Sequence, residues 1–299
     1  MSPHPPRQAR TINVHIQGWL LALPAIVLLA AFTHIPGIAT IFDSFYATPH
    51  GKRPAAFVGW AQYQTMWTDP IAWTALKNNL LYALITVPLS IGLALAMALW
   101  VAGRIKGRSA LRLAFFTPTI LPMVAAANIW IFFYTPDYGL LNQITRAFGG
   151  GSVNWLGDPS TALPALMAVT VWKEAGFFMI FYLAALQQVS PTLYEAARME
   201  NAGRWTIFRR ITWPLVMPTT LFVAVNALIN AFRVVDQVIA MTGGGPNNAT
   251  TLLLFYIYQV GFSFWDTGYA AALSALLLAL LGLVSMLQFA LLGRNVHYR

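Results

Sequence analysis

Glu195-Ala196-Ala197-Arg198-Met199-Glu200-Asn201-Ala202-Gly203, running on to Ile211-Thr212-Trp213-Pro214, is a polar island between two long apolar segments. Its reading decides the fold. The segments on either side, about 162–186 and 214–241, are each long enough to cross a bilayer, which takes about 20 residues. An island so placed is a folded, charged connector between two spans. Working outward, four further apolar runs of that length occur at about 19–42, 80–101, 111–133 and 269–292. The sequence therefore predicts an all-α polytopic membrane protein with six transmembrane helices. A polar tail, 1–18, precedes the membrane domain, 19–292, and a short tail, 293–299, follows it. The connector, 190–214, forms a helix pair between the fourth and fifth spans. Pro24, Pro36, Pro88, Pro118, Pro122 and Pro164 fall in or near spans and predict kinks rather than breaks, since neighbouring helices re-satisfy the freed carbonyls.

Composition agrees. Apolar residues make up 58% of the chain and charged residues 9%, far below the roughly 25% charged of soluble domains. The absence of cysteine excludes disulfides, thiolate metal sites and a cysteine nucleophile. A net charge of +9 would suit nucleic acid, but the basic residues sit in short loops between spans and so encode topology instead. One set of loops carries Arg7, Arg10, Arg104, Lys106, Arg108, Arg112, Arg198, Arg204, Arg209, Arg210, Arg294 and Arg299. The opposite set carries Lys52, Arg53 and Arg146. By the positive-inside rule both termini and the 190–214 connector are cytoplasmic. The first apolar run is too long for a signal peptide core and reads as a retained span.

The connector has internal logic. Ser190-Pro191 is a helix start, with Ser able to cap free amides and Pro tolerated at the first position. Ala196 and Ala197 give the short helix a small, flat face. Asn201 stands where the chain needs a left-handed turn residue, for which Gly is first choice and Asn second. Trp205, Phe208 and Ile211 form an apolar edge expected to pack against the spans, and Pro214 opens the fifth span.

The spacing of Glu195-Ala196-Ala197, the turn at Asn201, and Ile211 followed by Pro214 resembles the coupling motif of bacterial binding-protein-dependent ABC importer permeases, here of the sugar and glycerol-phosphate (maltose-type) group. Asn201 replaces the usual Gly, and Trp213 the usual Leu. Other segments resemble the same family: Phe57-Val58-Gly59 with Tyr63, Asn78 (followed by Asn79 in place of Thr), and Pro118, Pro122, Trp130, Gly139 and Asn142. Most specific are Phe232 to Asp236, with Val235 in place of an aromatic residue, and Thr242-Gly243-Gly244-Gly245-Pro246 with Thr250. Among such permeases the chain is most similar to the A-subunit type of glycerol-3-phosphate importers.

The resemblance implies a half-transporter of type I in the bacterial inner membrane. Its partners would be a second, usually different permease, two cytoplasmic ATPase subunits, a periplasmic solute-binding protein and membrane lipid, with no nucleic acid. The ATPase-coupling residues would be Glu195, Ala196, Ala197, Glu200, Asn201, Ala202, Gly203, Ile211 and Pro214. No G-x-x-x-x-G-K-[ST] phosphate loop occurs, so ATP and Mg would be bound by the ATPase partners, with no cofactor in this chain.

Ionisable groups at membrane depth mark function by default. Lys173, Glu174, Arg233 and Asp236 qualify. Asn226, Asn230, Arg233 and Gln237 recur four, three and four residues apart and predict one stripe of a helical fifth span. The stripe would face the solute path, or Asn226 and Asn230 would join helices while Arg233 and Asp236 pair at i,i+3. Lys173 and Glu174 point to different faces, each with a packing partner or a role in the path. Trp172 would stack on a sugar or pack between helices. Residues 252–264 read as an amphipathic external segment that lies along the membrane surface or contacts the binding protein. Two rival functions remain at this stage. A secondary transporter would show inverted repeats, and none is evident. A membrane-embedded enzyme would need an ionisable cluster, whereas His4, His15, His34, His50 and His297 are scattered. The chain thus reads as a transport component rather than an enzyme.

Overall fold

The computed structural model describes residues 8–49, 51, 54–103 and 106–292, and among these every regular element is a helix. The tail 293–299 and the charges Arg7, Lys52, Arg53, Arg104, Arg294 and Arg299 lie outside the described residues. In chain order, α1 (Gln8–Leu29), a π turn (Ala30–His34) and α2 (Ile35–Asp43) make the first span. None of its apolar window is buried within the chain. A short connection follows, in which the Ala47 amide donates to Ala56 O at 2.8 Å and the Val58 amide to Phe45 O at 2.9 Å. It leads through α3 (Ala61–Thr68) into α4 (Pro70–Ala102). Asp69 caps α4, accepting from the Ile71 amide at 2.8 Å, and Pro70 starts the helix without needing that amide.

The third span is not continuous. α5 (Arg108–Ile120) and α6 (Met123–Tyr134) meet at 102°. The predicted unbroken run over 111–133 is therefore corrected, and the cause is Pro122. It supplies no amide and restricts Leu121 to extended backbone, observed at φ −69° and ψ 133°. Counting this bent pair as one span gives six; otherwise five helices are long and apolar enough to cross. Pro24, Pro88, Pro118 and Pro164, in contrast, lie inside continuous helices.

After α6 comes the short helix α7 (Leu140–Ala147), then α8 (Pro159–Gln188). Buried Asn142 staples the loop around α7. Its amide nitrogen donates to Val153 O at 2.9 Å and Thr135 O at 3.3 Å, and its oxygen accepts from the Val153 amide at 2.9 Å. The connector forms α9 (Pro191–Met199) and α10 (Arg204–Ile207), and a π turn (Phe208–Thr212) enters α11 (Trp213–Phe232). α11 stops nine residues short of the expected 241. The chain breaks at Arg233 and restarts as α12 (Asp236–Met241); α13 (Leu253–Tyr258), a π turn (Gln259–Ser263) and α14 (Thr267–Leu292) complete it.

α4 and α8 form the centre. Small residues let them approach: Ala72, Ala75, Ala83, Ala94 and Ala98 of α4 are buried, as are Ala162, Ala165 and Ala175 of α8. In lipid this close packing, rather than expulsion of water, holds helices together. At Gly176, α8 also meets α5 closely, since a Cβ there would overlap Phe115 O. One apolar cluster joins α4, α8 and α11 around Phe178, Tyr182 and Val216; the other gathers α13 and α14 around Tyr82, Leu166 and Phe232.

The segment 252–264 is amphipathic as expected, but Leu253, Phe255, Tyr256 and Val260 are buried in the bundle and not laid on its surface. Tyr256 also donates to the Asp69 carboxylate at 2.6 Å, and Tyr269 of α14 donates to the same oxygen at 2.7 Å. Burial pushes Asp69 up, but these donors and the Ile71 amide outweigh it and hold the carboxyl below its usual range.

Candidate functional site

The two helix breaks face one another. Between them lies a cavity of about 340 Å³ lined by Thr170, Lys173, Glu174, Asn230, Arg233, Asp236 and Gln237, among others. Six of the seven residues expected on the solute path thus converge. The single-helix stripe that suggested four of them does not exist, because Arg233 caps α11 and Gln237 belongs to α12. The i,i+3 helical register proposed for Arg233 and Asp236 is absent for the same reason. Asn226 falls outside the cavity lining and donates to Phe222 O one turn back at 2.8 Å.

Each break is chemically sealed. α5 ends by leaving carbonyls without helical donors. The Lys173 ammonium supplies them, donating to Pro118 O at 3.2 Å, Thr119 O at 3.3 Å and Leu121 O. A cation at a helix C-terminus also meets the negative end of the dipole. At the other break, buried Asn79 donates to Ala231 O at 3.2 Å and accepts from the Leu253 amide at 3.1 Å. Its neighbour Asn78 donates to Asn248 O at 3.0 Å and Thr251 O at 3.1 Å. The loop between is itself tied, with Thr250 donating to Gly245 O at 2.7 Å. Gly244 has φ +87°, and a Cβ there would meet the Phe255 ring at 2.6 Å.

The lining residues differ in what they have left to offer. Gln237 is fully buried; its oxygen accepts from Thr170 at 2.8 Å and its nitrogen donates to Leu166 O at 2.7 Å. Tyr82 also bonds to Thr170. Gln237 is therefore a structural tie. Glu174 bonds to Asn230, and both are half-buried, whereas Arg233 and Asp236 are exposed. Trp172 packs edge-on against Trp130 at 5.5 Å and serves helix packing. Thr170 and Met123, with Val234 and Val235 at the break, complete the lining without having been anticipated there. Thr170 sits one turn before Lys173 and Glu174, a spacing that could have revealed it.

The connector is built largely as expected. Asn201 has φ 52°. Its amide donates to Arg198 O at 3.0 Å and the Ala202 amide to Ala197 O at 3.0 Å. This is a Schellman ending with Asn at the left-handed position. Gly203, with φ −66°, needs no such freedom. Ser190 makes no side-chain cap; its hydroxyl bonds to that of Thr192 at 2.8 Å. Tyr194 bonds to Thr212 at 3.3 Å, fastening α9 to the foot of α11. Phe208 and Trp213 pack against the bundle, while Trp205, expected there too, is 71% exposed. Glu195, Ala196 and Glu200 are exposed, and Ala197, Ala202 and Ile211 are half-buried.

Known proteins match this architecture over most of its length. The chain is 33% identical to the sulfoquinovosyl glycerol transport system permease protein SmoG of Agrobacterium fabrum (strain C58), over 92% of the chain and 90% of that protein. It is 29% identical to the sn-glycerol-3-phosphate permease UgpA of the same organism, over 95% and 97%, so the expectation that the glycerol-3-phosphate type is the most similar is corrected: SmoG matches at higher identity. A crystal structure of a bacterial ABC transporter that imports the acidic polysaccharide alginate contains a chain with the same fold. Its TM-score is 0.81 at 26% identity, covering 97% of this chain and 99% of that one. The family model described as "binding-protein-dependent transport system inner membrane component" matches residues 90–298. The chain belongs to that family of ABC importer permeases, transport components of the membrane rather than enzymes.

Proposed function

We propose that this chain is one permease subunit of an ATP-driven importer for a sugar, a polyol or glycerol-3-phosphate, moving solute from periplasm to cytoplasm by alternating access. Both termini and α9 face the cytoplasm, the orientation that the arginine distribution favours. Two ATPase subunits dock on α9 and bind the ATP and Mg, and a periplasmic protein delivers the solute. A second, homologous permease completes the path; the unburied first span leaves a full helix surface for it and for lipid. The cavity between the breaks holds the solute: Asn230 suits hydroxyls, and Arg233 suits hydroxyls or an anionic group. ATP-driven closure of the ATPases moves α9, and rigid-body displacement of the two permeases opens the cavity to one side at a time.

The observation that carries this reading is α9 itself: a short exposed helix, ended by a defined left-handed turn and pinned to the bundle at Tyr194. Such a projection is what a docked partner would push. The test is Glu195→Lys in the assembled transporter in proteoliposomes. Uptake should fall while membrane insertion and the partners' ATP hydrolysis persist; uptake equal to wild type would remove the docking role.

A further inference from the structure

Two cavities meet on the arginine-rich side of the bundle. The first, about 430 Å³, is an apolar groove between α5 and α8, walled by Leu113, Phe116, Met179, Ile180 and Ala184. The second, about 750 Å³, lies between α5, the end of α8 and the connector helix α9. It carries Arg108, Arg112 and Arg198 against one acidic residue, Glu195. Arg112, Leu183 and Gln187 line both, so the groove opens into the basic chamber. At this doorway the Arg112 Nε is enclosed by protein with no hydrogen-bond partner. A charged donor left so costs several times the net worth of an ordinary hydrogen bond. Something with acceptor oxygens belongs beside it.

The shape and chemistry define that ligand. It has an anionic head for three guanidinium groups and an apolar tail continuous with the head. A soluble anion would leave the groove empty, and a neutral lipid would leave the charges unmatched. Basic pockets between helices at the cytoplasmic boundary are the usual seats of anionic headgroups, and guanidinium is the group best shaped for phosphate. We propose that the junction of α5, α8 and α9 binds an anionic phospholipid of the cytoplasmic leaflet, its phosphate on Arg108, Arg112 and Arg198 and an acyl chain in the α5–α8 groove. The leaflet named rests on the orientation proposed above; the site itself does not. Because Glu195 and Arg198 belong to α9, the lipid head touches the segment assigned to ATPase docking. Bilayer composition thereby acts on the connector.

The test uses the assembled transporter purified in detergent, exposed to mixed phosphatidylglycerol and phosphatidylcholine, with retained lipid counted by native mass spectrometry. Wild type should keep phosphatidylglycerol in preference. Arg112→Gln should lower that retention about tenfold, the loss expected for one charge-assisted contact. Ala184→Trp, which fills the groove and leaves every arginine in place, should lower it as well. Excess inorganic phosphate should not displace the lipid. Equal retention of the two lipids, indifference to both substitutions, or displacement by phosphate would overturn the proposal, the last leaving a simple anion site. Orientation is read separately: since the chain has no cysteine, a single Thr206→Cys should label from the cytoplasmic side alone. Labelling from outside would overturn the orientation and the leaflet with it, whatever lipid is retained.

Discussion

Asn201 offers a graded test of the connector. Its φ of 52° costs an ordinary L-residue roughly 1–2 kcal/mol, Asn less, and Gly nothing. The turn gains two hydrogen bonds, Asn201 to Arg198 and Ala202 to Ala197, each 3.0 Å and each worth about 1 kcal/mol net. Asn201→Val, β-branched and with no local hydrogen bond to offer, adds a penalty near the upper end of that range. The penalty nearly cancels the two bonds, so the turn should open about thirty times more often. Asn201→Gly should match wild type or tighten the turn slightly. Hydrogen exchange at the Asn201 and Ala202 amides reads this directly, and uptake per ATP hydrolysed reads its effect on coupling. No residue from Glu195 to Gly203 is buried, so whole-protein melting should hardly move. Exchange at the two amides unchanged in Asn201→Val would refute the reasoning, because the left-handed turn would then not limit the connector.

Lys173→Met should destabilise the bundle by about 3 kcal/mol, since three carbonyls at the end of α5 lose a charged donor; Lys173→Arg should recover much of it. Thermal melting of the detergent-solubilised chain decides, and equal melting of Met and wild type would remove the capping role. Arg233→Ala should weaken uptake of an anionic solute such as glycerol-3-phosphate more than that of a neutral sugar, and equal loss for both in competition assays would remove Arg233 from solute selection. The Asp69 carboxyl is held below its unfolded range, so its contribution is complete above about pH 4 and is lost as pH falls through the lowered value. Wild-type melting should therefore decline under acid, and Asp69→Asn, with no carboxylate to protonate, should show a smaller decline.

The membrane-helix class, the connector's place in the chain and its turn were legible because each rests on a local rule: length of the apolar runs, a polar island between two of them, a residue tolerant of positive φ. The breaks were harder. Pro122 was visible in the sequence, but whether a membrane proline kinks or breaks a helix depends on what re-satisfies its neighbours. Here that is Lys173, 51 residues further on, whose bonds sequence alone does not reveal. The end of α11 at Phe232 was hidden likewise, since its free carbonyl is met by Asn79 from a distant helix. The residues that line the cavity were grouped partly for an incorrect reason. Helical spacing grouped Arg233 with Gln237, but it is the break that brings Arg233 and Asp236 beside Glu174, and Gln237 proves to be internal bracing.

The close approach at Gly176 has a mechanical consequence. Phe115 O of α5 sits where a Cβ of α8 would be, and Lys173 clasps the end of α5 less than one turn away. The two helices are joined at that point like blades of one lever. From Glu174 at the cavity to Gln188 at the foot of the connector, α8 spans fourteen residues, or about 21 Å. A tilt of about 10° over that length displaces the far end by about 4 Å. A movement of that size at the connector would turn α8 and α5 together, carrying the break at Leu121, and the wall of the cavity beside it, along the same arc.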